Sequence, residues 1–271
     1  MYRFLVVAVA ALAGATSAHA WVEVPVTSCG QIIYRGQAGR LTRDLDCGHQ
    51  WGTCYTCAIW GSDICSQIQP VVPCAGPSDC PNPAVNKCDG GEAQRSVGVY
   101  LEPGARLYLD GHSISGVEIG ISGSRPDGTS GPRRIRIFGP GTVFKTRVAA
   151  DFYNGSFVEG VTLTDSLFGI AGSKVRLEDV STSGNVIGVS AFETLRATRL
   201  TSDNNRYGGI VSYRGVRIDS SHVTGSAVVD IATELSPRVT TTTCDRSAAL
   251  EDTTQPGIYA PGLPWGVCSS D

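Results

Sequence analysis

The sequence predicts an all-β fold wound as a parallel β-helix, a solenoid with a disulfide-rich cap at its N-terminal end. Three observations predict it. A short cassette recurs: Gly or Asp, an apolar residue, then two mostly small residues. It begins at Gly120, Asp151, Gly169, Gly188, Gly209 and Asp230, at intervals of 31, 18, 19, 21 and 21 residues. Each repeat also holds an apolar–polar–apolar run: Ile135-Arg136-Ile137, Val161-Thr162-Leu163, Val175-Arg176-Leu177, Thr198-Arg199-Leu200 and Val216-Arg217-Ile218. Helix signals are scarce, and short β-branched runs are punctuated by Gly, Ser, Asn and Asp, a texture of many short strands. A unit of about 20 residues is too short for a helix plus a strand, but fits one coil of a β-helix. The coils then bond to their neighbours about 4.8 Å above and below. An antiparallel sandwich would instead show hairpins between adjacent strands and no fixed period.

Taken in order, residues 1–20 read as a secretory signal peptide. Arg3 gives a positive start, FLVVAVAALAGA an apolar stretch too short to span a bilayer, and Ala18-His19-Ala20 a cleavage site. The expected location is secreted or periplasmic, with no membrane insertion.

Residues 21–96 are rich in Cys, Pro and Gly. PVVPCAGPSDCPNPAVNKCDGG, residues 70–91, has five prolines and cannot be a regular helix or central strand. This segment is expected to be a loop-rich cap. Eight cysteines fall here (Cys29, Cys47, Cys54, Cys57, Cys65, Cys74, Cys80, Cys88) and two near the end, Cys244 and Cys268. Even numbers in an exported chain read as disulfides. Cys54-Tyr55-Thr56-Cys57 also fits half a zinc site or a redox pair, with only His49 nearby as a further ligand. Eight cysteines allow about 105 pairings, and spacing does not choose among them.

Residues 97–243 are the expected β-helix and 244–271 a disulfide-clamped tail. SRPDGTSGPR accounts for the long first interval as an inserted loop. LYLDGHSISG, residues 107–116, is the first clear coil. Asp-Gly between alternating runs is ordinarily a hairpin signal. The period downstream makes Asp110-Gly111 a corner between two sheets instead. Asn185 and Asn204 or Asn205 are expected to form a buried ladder at another corner.

Formal charge is −3, too mild and mixed for a nucleic-acid partner. Charged residues are 17% of the chain, which disfavours coiled coils and charge-driven disorder.

LYLDGHSISG followed by IRIFGPGTV, residues 135–143, resembles the opening turns of the right-handed parallel β-helix proteins of the pectin-lyase-like superfamily. The resemblance covers residues 97–243 and implies right-handedness. Its members include polysaccharide lyases, polygalacturonases, epimerases and proteins without catalysis, so fold alone does not assign activity.

Equivalent residues stack in a β-helix. In the alignment above, Arg136, Thr162, Arg176, Arg199 and Arg217 form one outward column. Guanidinium forks bind carboxylates and sulfates in pairs of bonds, so this column is a candidate groove for an acidic polysaccharide. Glu178, Asp165, Asp179 and Asp219 follow closely and could equally neutralise it. Tyr108 is a candidate sugar-stacking ring. Leu163-Thr164-Asp165 and Leu177-Glu178-Asp179 are expected at equivalent positions of adjacent coils. Asp165 and Asp179 would then lie about 5 Å apart, close enough to share a proton or hold Ca²⁺. The resemblance stops there: where a polygalacturonase has Asn-Thr-Asp, Gly-His-Gly and Arg-Ile-Lys, this chain has Leu-Thr-Asp, no Gly-His-Gly and Arg217-Ile218-Asp219. His49, His112 and His222 form no hydrolase triad spacing. No cofactor is called for, Ca²⁺ aside. Two functions remain: an acidic-polysaccharide protein that binds and could cleave or epimerise its ligand, and a non-catalytic structural or adhesion module.

Overall fold

The structure is a computed structural model. It describes residues 21–47, 52–57, 65–67, 73–74, 86–89, 97–123, 134–152, 155–252 and 259–271. Among these residues there are strands and no helix. The strands form three parallel sheets around one core, and the chain visits them in turn.

The first sheet runs from Val22–Val26 through Gln37–Leu41 and Arg106–Tyr108 to Gly215–Asp219 and Arg238–Thr240. The second runs from Leu45–Asp46 through Ser181–Ser183 to Thr243–Cys244. The third runs from Gln31–Ile33 through Val97–Leu101 to Val229–Thr233 and the start of Ser247–Asp252. Long strands such as Ile135–Phe152 bend from one sheet into the next. The parallel β-helix expected from the period is therefore the observed fold.

LYLDGHSISG is a corner. Leu107 and Tyr108 pair in parallel with Gly39 and Arg40 on one side and Ile137 and Phe138 on the other. Ile114 and Ser115 pair with Leu45 and Asp46, and with Val143 and Phe144. Asp110 and Gly111, at φ 50° and 86°, turn the chain between the first two sheets.

Winding begins earlier than expected. Val22–Val26 already pairs in the first sheet, so residues 21–46 belong to the coil rather than to a separate cap. The chain leaves at the end of the second sheet, after Cys47, and re-enters at Val97 in the third. A Cys29–Cys47 disulfide ties that exit to the first coil. Between exit and re-entry, Gly52–Cys57, Cys65–Gln67, Pro73–Cys74 and Asn86–Asp89 form their own antiparallel sheet. The expected side-chain pairings of Cys54, Cys57, Cys65, Cys74, Cys80 and Cys88 lie outside what the structure describes, as do His49 and the inserted loop 124–133.

Two phases of the repeat differ from expectation. The small-residue cassette aligns Gly120 with Ala149, not Asp151, and then Gly169, Gly188, Gly209 and Asp230. These positions point inward where backbones nearly touch: a Cβ on Gly188 would meet Gly209 O, Ser202 Oγ and Thr182 Oγ1 at 2.6 Å each. In the first sheet the aligned strands are Ser156-Phe157-Val158 and Leu195-Arg196-Ala197, not 161–163 and 198–200.

Inward residues stack into apolar columns. Leu107, Ile137, Val158, Leu177, Ala197 and Ile218 line the first sheet, and Val99, Ile121, Ala150, Ile170, Val189, Ile210 and Ile231 the third, all buried. The second-sheet column begins apolar, Ile114, Val143 and Leu163, and turns polar at Thr182 and Ser202. Thr182 Oγ1 donates to Ser202 Oγ at 2.9 Å, so the buried hydroxyls satisfy each other.

At the corner after the second sheet, a buried polar ladder climbs the coils. Ser166 N donates to Asn185 Oδ1 at 3.0 Å, and Asn185 N to Asn205 Oδ1 at 3.2 Å. Asn185 Nδ2 donates to Leu163 O at 3.0 Å. The expected asparagine ladder is thus built by Asn185 and Asn205. Asn204 instead takes the left-handed turn, φ 51°. At the C-terminal end, Cys244–Cys268 fastens the tail. Asp271 accepts from Ser247 N and Oγ, and from Val267 N and Cys268 N at 2.8 Å each.

Candidate functional site: a guanidinium column on the first sheet

From Arg106–Tyr108 onward, the outward position at the centre of each first-sheet strand is Arg106, Arg136, Phe157, Arg176, Arg196, Arg217 and Arg238 in successive coils, while the two earlier strands carry Glu23 and Ala38 in register with them. Six of seven aligned positions are arginine. The column is longer and more regular than the sequence alignment suggested. Strand alternation dictates it: each arginine lies between two inward apolar residues, as in Val175-Arg176-Leu177 and Val216-Arg217-Ile218. Like charges about 4.8 Å apart repel, so the column is set up to be relieved by anions.

The protein's own carboxylates relieve little of it. Arg176 comes within 3.8 Å of Glu178, and its guanidinium sits 5.3 Å from the Phe157 ring centre. Arg106 lies over the Trp21 ring at 4.1 Å. Arg136, Arg196, Arg217 and Arg238 are exposed and make no ion pair or side-chain hydrogen bond among the described residues. By contrast, the aligned second-sheet positions Ser113, Thr142, Thr162, Ser181, Thr201, His222 and Thr243 carry no guanidinium. Thr162 therefore belongs to a different sheet from the arginines with which it was grouped.

Arg199 also leaves the column. It occupies the left-handed corner after the first sheet, φ 52°, in line with Gly160, Asp179, Ser220 and Thr241. Its guanidinium grips Asp179, Nε to Oδ1 at 2.6 Å and Nη2 to Oδ2 at 2.7 Å, and reaches Glu178 Oε1 at 2.8 Å. Its hydrogen bond to Asp179 raises the Arg199 pKa and holds the Asp179 carboxyl below the usual carboxylate range. Arg199 is a corner brace already spent on its own carboxylates, and Arg196 is the column member that sequence alignment missed.

The two aspartates do not stack. Asp179 turns the first-to-second corner, whereas Asp165, φ 51°, turns the second-to-third corner, aligned with Gly184 and Asn204. No shared-proton pair follows from them. Among the described residues no group of three or more His, Cys, Asp and Glu is placed to hold a metal ion. His112 Nδ1 stands 3.6 Å from Asp44, and His222 Nε2 2.9 Å from Thr224 Oγ1. Neither joins a nucleophile.

Tyr108 lies beside the column, two residues after Arg106. Phe138 on the next coil stacks against its ring at 4.8 Å and 16°, and Arg40 on the preceding coil covers it at 4.5 Å. Neighbours on both coils thus flank its ring, so Tyr108 does not offer the open stacking face expected of it. Arg40 is itself held by Glu23 at 3.1 Å and Asp110 at 3.0 Å.

The arrangement defines a β-helix with a cationic rib along its axis. No family model matches the chain, and neither the curated proteins nor the solved structures give a match.

Proposed function

We propose that this protein is an exported β-helix that binds an acidic extracellular polysaccharide along the arginine column. One observation carries the reading. Exposed, unpaired guanidinia repeat once per coil at Arg196, Arg217 and Arg238, with Arg136 further along the same line. A linear polyanion lying across the strands presents carboxylates or sulfates at a matching rhythm, and each guanidinium can take one in a forked pair of bonds. The Cys29–Cys47 and Cys244–Cys268 disulfides belong to oxidising compartments, in keeping with export through the segment ending at Ala20. Membership of the pectin-lyase-like superfamily is part of the same proposal, supported by the parallel coil and its asparagine corner ladder.

Binding without turnover is the form of the proposal that the corner geometry favours, because Asp165 and Asp179 stand at different corners. A structural or adhesion role and a binding role then converge: the module holds matrix or envelope glycan. The test is affinity electrophoresis of the chain from Trp21 in gels containing polygalacturonate, alginate or heparin. Retardation by at least one, lost in the Arg196→Ala/Arg217→Ala/Arg238→Ala variant, is expected. Equal mobility of both proteins in every gel overturns the reading. Release of unsaturated or reducing ends would add turnover to it.

A further inference from the structure

The arginine column has one interruption. At the third of its coils the aligned residue is Phe157, between Arg136 and Arg176. The neighbouring outward residue on that strand is Glu159, which makes no ion pair or hydrogen bond among the described residues. That coil therefore presents an aromatic ring where the coils on both sides present a guanidinium, and its Glu159 stays unpaired whereas Glu178, at the same position of the next coil, is held by Arg176 and Arg199. The ring is fixed: Phe138 meets it edge-on at 6.1 Å and 66°, and Arg176 leans over it at 5.3 Å.

Resting on the polysaccharide reading above, we infer that Phe157 and Glu159 set specificity by rejecting an anionic sugar at that coil and accepting an uncharged one. Arg136 and Arg176 are two coils apart, about 10 Å at the ordinary strand spacing. Across Arg136, Phe157 and Arg176 the face reads charged, neutral, charged. A chain in which anionic and neutral sugars alternate fits this order. Phe157 supplies no cation there to draw a carboxylate or sulfate. Glu159 contributes repulsion against a second carboxylate. Specificity of this kind needs the repulsive element as much as the attractive one.

The experiment compares equal-length oligosaccharides of hyaluronan, in which every second sugar is acidic, and of alginate, in which every sugar is acidic. Titrations use the chain from Trp21, followed by calorimetry. The variants are Phe157→Arg, Phe157→Tyr and Glu159→Gln, with the thermal midpoint recorded for each. Phe157→Tyr is expected to keep the wild-type ratio of hyaluronan to alginate affinities. Phe157→Arg and Glu159→Gln should shift the ratio of affinities toward alginate by several-fold. A purely structural role for Phe157 would change the midpoint and leave the ratio alone. Binding that is lost in the triple arginine variant, yet shows the same ratio in Phe157→Arg and wild type, overturns this inference and leaves the binding reading standing. Wild-type binding to no acidic glycan overturns both.

Discussion

Arg199 Nε lies 2.6 Å from Asp179 Oδ1, one coil away at the same left-handed corner. The contact separates two arginines that look interchangeable in the run Leu195-Arg196-Ala197-Thr198-Arg199. Arg196 points out of a strand with no partner, and Arg199 closes a corner with two. Arg196→Ala should therefore weaken retention on an acidic glycan several-fold, while Arg199→Ala leaves retention unchanged. Affinity electrophoresis of the two variants side by side reads the difference. Equal losses would mean that the column is not the ligand line.

The same pair gives a pH sign. The Arg199 guanidinium lowers the Asp179 pKa. A depressed carboxylate stabilises the fold above its unfolded-state pKa of about 3.9, and that contribution is lost as pH falls through the lowered folded value. The stability difference between wild type and Asp179→Asn should thus be present at neutral pH and shrink toward zero in acid. Urea midpoints at both pH values test it. Both groups are solvent-exposed, so the effect is small and salt-sensitive.

Asn185 is fully buried and bonds to two other coils, donating to Leu163 O and Asn205 Oδ1 and accepting from Ser166 N. Asn185→Ala leaves the Ser166 amide and the Leu163 carbonyl without those partners. A buried group stripped of its partner costs about 1–3 kcal/mol, so a loss of at least 2 kcal/mol is expected in urea unfolding. A change within error would show that water replaces the ladder.

Two glycines one coil apart should behave oppositely. A methyl on Gly188 meets three atoms at 2.6 Å, two of them on the facing wall of the coil. Overpacking of this kind costs about 1–3 kcal/mol. Around Gly215 a Cβ finds open space, and its φ is not in the left-handed region. Gly188→Ala should lower the thermal midpoint by several degrees. Gly215→Ala should leave it unchanged or raise it slightly, since alanine has less unfolded-state freedom to lose.

The period, the parallel pairing and the Asp110 corner were legible because stacked coils demand small inward residues and alternating strands at fixed spacing. The phase was harder. Ala149 fills a slot that the other coils give mainly to glycine, so Asp151, two residues on, looked like the cassette start. Ser156 stands inward where Val161 has the more apolar signature. Arg199 reads as a strand residue because a left-handed turn on an arginine leaves no sequence mark; such turns are enriched in Asn and Asp. Val22–Val26 was missed because its one partner strand, Gln37–Leu41, joins the later coils only across residues 48–96. The Phe157 interruption became visible only once the register was known.

That early excursion bears on how the chain assembles. In the third sheet Val189 pairs with Ile170 and Ile210, 19 and 21 residues away. Leu45 must find Ile114, 69 residues away. Closing a longer loop costs more chain entropy, and solenoids nucleate where local stacking is cheapest and propagate outward. Folding should start among the coils between Phe168 and Thr233 and zip toward the N-terminus, with Val22–Val26 docking last. In a cell, a ribosome would release Gln37–Leu41 and Leu45–Asp46 well before Arg106–Tyr108 and Ile114, so those strands would wait with one edge unpaired.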